Sequence, residues 1–257
     1  MNIFLFALQH LTRIYIKDIP FNEKDLGRSV MFFPLVGLLL GGILSAALYL
    51  SSMVFPPPAT AAILVVLMVI MTGGLHLDGF MDTMDGVLSG RSRERKLEIM
   101  RDSRVGAFGA LGAACLVLLK FSLILSVPGD LLPRLLILMP VISRWSMAYA
   151  VANFPYARPE GLGMLHVKYT GRTELAVATV TALALAAGAG GPAGLVLFVL
   201  AGLLTHLLCR KLAGQLGGLT GDTYGAANEI MEVAVLFLFF PVYKLAGLKL
   251  LWQGFVT

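Results

Sequence analysis

Residues 29–77 read SVMFFPLVGLLLGGILSAALYLSSMVFPPPATAAILVVLMVIMTGGLHL, with no Asp, Glu, Lys or Arg among them. One membrane-crossing helix needs about 20 apolar residues. The run is therefore long enough for two, with a break at Pro56-Pro57-Pro58, residues that punctuate helices. A second uncharged run, 175–209, carries a similar break at Gly190-Gly191-Pro192. Over all 257 residues 58% are hydrophobic and 14% charged, and the mean hydropathy is +0.84. Soluble domains are about a quarter charged. The sequence thus predicts an all-α, polytopic membrane protein: one domain over residues 1–257, with no polar region large enough for a separate soluble unit.

Working outward, the predicted spans are residues 30–53, 59–75, 107–127, 135–152, 175–189, 193–208 and 230–248. In the N-terminal arm, Phe4, Leu8, Leu11 and Tyr15 share one helical face. The arm is too short and interrupted to span and lacks a signal-peptide pattern, so it reads as an interfacial amphipathic helix. This layout places the arm, the charged loop after residue 77, and the loops 153–172 and 210–228 on one side. They hold most of the Lys and Arg, whereas the opposite loops carry little charge beyond Asp130. The positive-inside bias assigns the basic side to the cytoplasm. It also accounts for the net charge of +5 through anionic lipid and substrate, without nucleic acid. Cys115 and Cys209 lie in apolar segments without a CxxC partner and read as buried, inert thiols.

The chemistry gathers in residues 73–109, GGLHLDGFMDTMDGVLSGRSRERKLEIMRDSRVGAFG. Asp78, Asp82 and Asp85 stand at i, i+4 and i+7, within one stripe of a helix. Like charges at this spacing repel, and no Lys or Arg lies between Ser29 and Arg91 to offset them. A divalent cation with oxygen ligands, Mg²⁺ or Mn²⁺, satisfies such a set; a solvated polar face is the plainer reading. Asp102 is the fourth expected ligand. His76, on the other side of the helix, reads either as a proton carrier or substrate contact or, equally, as a membrane-interface histidine with a backbone partner. Arg91, Arg95, Glu98 and Asp102 share a stripe, with Arg95 and Glu98 read as a simple ion pair. Arg101 and Arg104 suit phosphate.

Further along, Arg144 lies in an apolar span, either functional or snorkelling, while Lys120 and Arg134 read as structural. Tyr156, Arg158 and Glu160 sit in PYARPEGLG, a turn fit for a substrate lid. Asp222 reads as a substrate contact or a helix cap. Glu229, entering a span with Glu232, is expected near the site. There is no Walker A loop, HExxH or GxSxG, so metal and arginine would hold any nucleotide.

HLDGFMDTMDG (76–86) and RERKLEIMRDSRVGAFG (93–109) resemble the central motif of the cobalamin synthases, the adenosylcobinamide-GDP ribazoletransferases. FFPLVGLLLG (32–41), PYARPEGLG (155–163) and LGGLTGDTYGAANEI (216–230) are similar in order across nearly the whole chain. The arm, LTRIYIKDIPF (11–21), departs from the family pattern after its Leu-Thr-Arg start. The resemblance implies attack by α-ribazole or its 5′-phosphate on adenosylcobinamide-GDP, loss of GMP, and Mg²⁺ as cofactor at a bacterial cytoplasmic (inner) membrane, with the active site facing the cytoplasm. On that reading Asp78, Asp82, Asp85 and Asp102 hold metal, Asp82, Asp85 and His76 serve catalysis, and Arg101, Arg104, Arg158, Arg144, Asp222 and Glu229 contact substrate. The lipid bilayer is an expected partner, and a homo-oligomer stays open. Two other classes fit the residues less well. A CDP-alcohol phosphotransferase spaces its aspartates differently, and a transporter would keep its acids at mid-membrane.

Overall fold

The computed structural model describes residues 2–245, all-helical apart from turns and one isolated bridge. Eleven α-helices follow in order: α1 (Asn2–Leu11), α2 (Glu23–Arg28), α3 (Phe33–Ser52), α4 (Pro57–Thr72), α5 (Leu75–Leu88), α6 (Arg93–Ile99), α7 (Ala107–Ser126), α8 (Leu132–Asn153), α9 (Leu162–Tyr169), α10 (Arg172–Leu216) and α11 (Gly221–Leu245). Proline opens α3, α4 and α8, where its missing N–H costs nothing and its φ suits the first turn.

Five helical stretches are long and apolar enough to cross a membrane: residues 23–52, which include α2 and α3, and α7, α8, α10 and α11. α4 meets that standard only together with α5, from which it is bent by 90°. α10 is two arms, 172–190 and 192–216, joined at Gly191, whose φ of 55° and ψ of −145° leave the helical region. The arms fold back on each other. A side chain at Gly194 would strike the Ala186 carbonyl, a contact that no continuous helix allows between residues eight apart. Trp145 touches both arms, donating from Nε1 to Thr179 Oγ1 at 2.9 Å and packing its ring at a tilt of 52° against Phe198, centroids 4.4 Å apart. Counting the arms separately, seven apolar rods match the seven predicted spans. The end of the last, at residue 248, lies outside the described residues.

Between rods in lipid, close packing and polar contacts replace the hydrophobic effect as the source of association. Ala178, Ala182 and Ala186 form a fully buried stripe on the first arm, and α3 meets α8 where Gly37 and Gly41 face the backbones of Pro140 and Ile137. The outer surface is apolar, with Leu111, Leu118, Val180, Val199, Leu203 and Phe237 exposed. A water-facing surface would not carry such a belt. This is a multi-pass membrane protein.

Two expectations need correcting. α1 ends at Leu11, so Tyr15 lies beyond it and is exposed, while Leu8 and Leu11 are buried against the bundle. Cys115 is exposed on the apolar outer surface; only Cys209 is buried.

Candidate functional site

The site is built where α4 gives way to α5. Gly73 and Gly74 adopt φ of 63° and 74°, a left-handed turn that side chains resist. The resulting bend turns α5 by 90° from α4, and with 14 residues α5 is too short to span by itself. It packs alongside the first turns of α7 and α11. Gly79 then lets α11 approach, since a Cβ there would lie 2.8 Å from the Asp222 carbonyl oxygen and 2.9 Å from its Cα. That contact brings Asp222 beside the α5 acids.

A cavity of about 550 Å³ opens here, lined among others by Asp78, Arg101, Arg158, Asp222, His76 and Glu160. Such a volume suits one drug-sized ligand. Arg158 donates from Nη2 to Asp222 Oδ2 at 2.7 Å and to the Met100 carbonyl at 3.3 Å. The loop carrying Arg158 is stitched down by its backbone: Ala157 N donates to Leu219 O at 2.7 Å, and Leu219 N to Pro155 O at 2.8 Å. Two segments that the sequence shows 60 residues apart thus form one wall. His76 lines the same cavity as Asp78, although helical phase alone puts them on different sides.

The three aspartates of α5 keep their common stripe but divide their work. Asp78 faces the cavity. Asp82 sits partly buried near Asp222 and Asp78, and burial, then those two carboxylates, push its carboxyl up to about 7. Asp85 accepts from Gly106 N and Gly109 N, both at 2.8 Å, and so satisfies the free amides that open α7. Seven residues of helix rise about 10 Å, too far for one ion to touch Asp78 and Asp85 together. Accordingly, no three His, Cys, Asp or Glu side chains among the described residues converge closely enough to hold a metal ion. The donor chemistry still fits a hard cation. Asp78, Asp82 and Asp222 offer only oxygens, and Asp82 is forced toward its protonated form by negative neighbours that a cation would offset.

Other expected site residues lie elsewhere. Asp102 and Arg104 bind each other in the loop after α6, with Arg104 Nη2 to Asp102 Oδ2 at 2.7 Å. This bond holds the Asp102 carboxyl down to about 2. Neither lines the cavity, because their positions in α6 assumed a longer helix; α6 stops at Ile99. Arg95 and Glu98 form the expected exposed pair at 2.6 Å. Asp222 is not the cap of α11; Thr220 and Thr223 cap it reciprocally through their hydroxyls.

Arg144 and Glu229 do not line the cavity. Arg144 does not snorkel: it is buried and bonded to Glu232. Glu229 and Glu232 both accept from Lys120 Nζ, at 2.6 and 2.5 Å. Lys120 of α7 is the partner that the sequence reading missed. As the one charge in its span, it carried the same signal as Arg144. Tyr156, Tyr224, His10 and His166 also line the cavity; Tyr156 was expected in the lid turn, whereas nothing in local spacing singles out the other three.

Against known proteins, the model of the family described as cobalamin-5-phosphate synthase matches residues 3–240. An adenosylcobinamide-GDP ribazoletransferase of Roseiflexus sp. (strain RS-1) is 45% identical over 231 residues, covering 90% of this chain and 86% of its own. One from Desulfitobacterium hafniense (strain Y51) is 44% identical over 249 residues, covering 92% and 95%. One from Desulforamulus reducens is 39% identical over 241 residues, covering 91% and 96%. No solved structure matches. With its aspartate helix laid over a cavity at one end of a membrane bundle, and with relatives this similar over nearly their whole length, the chain is an enzyme that belongs to the cobalamin-5-phosphate synthase family.

Proposed function

We propose that the enzyme joins α-ribazole or its 5′-phosphate to adenosylcobinamide-GDP and releases GMP, giving adenosylcobalamin or its 5′-phosphate. The relatives, adenosylcobinamide-GDP ribazoletransferases, supply the donor and the ribazole acceptor of this reading. The observation that carries the reading is the convergence of Asp78, Asp222, Arg101 and Arg158 on one cavity. Acids beside arginines in a partly enclosed pocket are what a diphosphate and its counter-ion require.

One or two of Asp78, Asp82 and Asp222, together with the substrate's own phosphate oxygens, would hold Mg²⁺, which would offset the charge on the diphosphate and lower the cost of phosphoryl transfer. The ribazole hydroxyl oxygen forms a bond to the phosphorus nearest cobinamide. The bond from that phosphorus to the GMP oxygen breaks, and GMP leaves with the electron pair. The hydroxyl proton passes to a carboxylate of the cluster. Arg101 and Arg158 steady phosphate oxygens through paired donors. Asp85, held by the first amides of α7, fixes how α5 sits over the cavity.

The positive-inside bias of the basic loops supports a cytoplasmic face for the site, with the rods in the cytoplasmic membrane of a bacterial cell. The test is GMP release by the detergent-solubilised protein from adenosylcobinamide-GDP and α-ribazole 5′-phosphate, with Mg²⁺ or with EDTA. Mg²⁺-dependent GMP formation is expected. No GMP, or CMP release from a CDP-alcohol instead, overturns the reading.

A further inference from the structure

A second cavity, also of about 550 Å³, lies at the other end of the bundle from the α5 acids. The last two turns of α3 and the first two of α4 form it, with the end of α7 and the start of α8. α3 and α8 reach the first cavity with their opposite ends, at Phe33, Met147 and Val151. No charged residue lines the second.

This cavity sits among hydrocarbon. α3 and α7 have 20 residues each, about 30 Å of helix and so about the thickness of the hydrocarbon layer. Ser45 in the cavity wall stands about 10 Å before the end of α3 at Ser52. Leu111, Leu118 and Leu125 of α7 are all exposed, and their even spacing puts them on one stripe of the outer belt. Leu125 is also cavity wall, so the lipid-facing surface runs into the cavity.

Water has little to hold it there. An internal water makes about three hydrogen bonds. The Ser45 hydroxyl already donates to the carbonyls of Gly41 and Pro133, at 2.8 and 3.1 Å, and that of Ser52 to the Tyr49 carbonyl at 2.9 Å. Apart from Tyr49 and Thr60, the other lining side chains carry no polar atom. Left unfilled, such a space forfeits the dispersion contacts of its walls, and the molecules at hand in that layer are lipid chains.

We infer that this cavity is a seat for one acyl chain of a membrane phospholipid. Tyr49 and Phe55, both exposed lining residues, mark the level of its headgroup, where aromatic rings gather. The chain is held by shape and apolar contact alone, so the seat takes a neutral hydrocarbon and no phosphate.

The test uses the full chain in phosphatidylcholine vesicles doped with a phosphatidylcholine whose acyl chain carries a diazirine. After photolysis, mass spectrometry maps the adducts. Leu48 in the cavity wall and Val180 on the outer belt should both be labelled. Gly129→Phe adds a ring to the lining at a point where a Cβ meets nothing within 4 Å. It should cut labelling at Leu48 about tenfold through steric exclusion, with Val180 unchanged. Ser52→Trp fills the cavity from α3 and carries the test should Gly129→Phe not fold. Leu48 unlabelled in wild type, or labelled as strongly after filling, overturns the seat. So does reaction of Ser45→Cys with a water-soluble, membrane-impermeant maleimide, which means a wet cavity. None of these readouts needs turnover, so they stand apart from the proposed reaction.

Discussion

Two groups of charged residues lie within this protein, and they are balanced in opposite ways. Between α7, α8 and α11, Lys120 and Arg144 meet Glu229 and Glu232, two cations against two carboxylates, all buried. On α5 and the start of α11, Asp78, Asp82 and Asp222 face each other with Arg158 paired to Asp222. Moving one ion from water to a dry interior costs of order 20 kcal/mol in the idealised limit, so the first group persists only because it is neutral as a unit. The second stays wet enough to remain unbalanced. Balance marks a pin that ties three rods together, and imbalance is what the proposed divalent cation would offset.

The largest effect should come from unbalancing the pin. Lys120→Met leaves Glu229 unpaired and should cost about 3–5 kcal/mol, seen as loss of monodisperse protein in detergent. Adding Glu229→Gln should restore much of it. At the site the reverse holds, because removing charge should relieve the fold. Asp82→Asn should lower turnover at least ~100-fold while raising the metal-free melting temperature at pH 8. The sign follows from the carboxyl, which moves from its usual 3.8 to about 7. The folded state holds that proton more tightly than the unfolded one, so the stability it contributes is complete below about 4 and is lost as pH rises through about 7. Wild type should therefore melt lower at pH 8 than at pH 5 without metal, and Asp82→Asn should show less of this slope.

A smaller effect is expected where geometry alone is disturbed. Gly79→Ala presses a methyl on the Asp222 backbone and should cost roughly tenfold in turnover and about 1–3 kcal/mol of stability, read as a lowered melting temperature. Smallest of all is Arg95→Ala. Its pair with Glu98 is exposed at both ends, and such pairs are worth about 0–1 kcal/mol, so stability and turnover should both stay near wild type.

Most of the fold was legible because its signals are local. Uncharged runs give the rods, and Pro56-Pro57-Pro58 and Gly190-Gly191-Pro192 give two of the breaks. The aspartate stripe was legible for the same reason, since helical phase is a short-range property. What escaped depended on partners far along the chain. Arg144 was read without Glu232, 88 residues away, and Lys120 without Glu229, 109 away. Asp102 was misplaced because α6 stops before it. His166 and Tyr224 carry no spacing that announces a cavity; only the packing of α1, α5, α9 and α11 brings them together.

The central claim is that the rim acids are incomplete without a divalent cation. Mn²⁺ binding to the detergent-solubilised protein, followed by electron paramagnetic resonance, tests it without any turnover. The account predicts saturable binding to wild type that is lost in Asp78→Asn/Asp82→Asn and kept in Arg95→Ala. Equal Mn²⁺ binding by wild type and the double variant would contradict it.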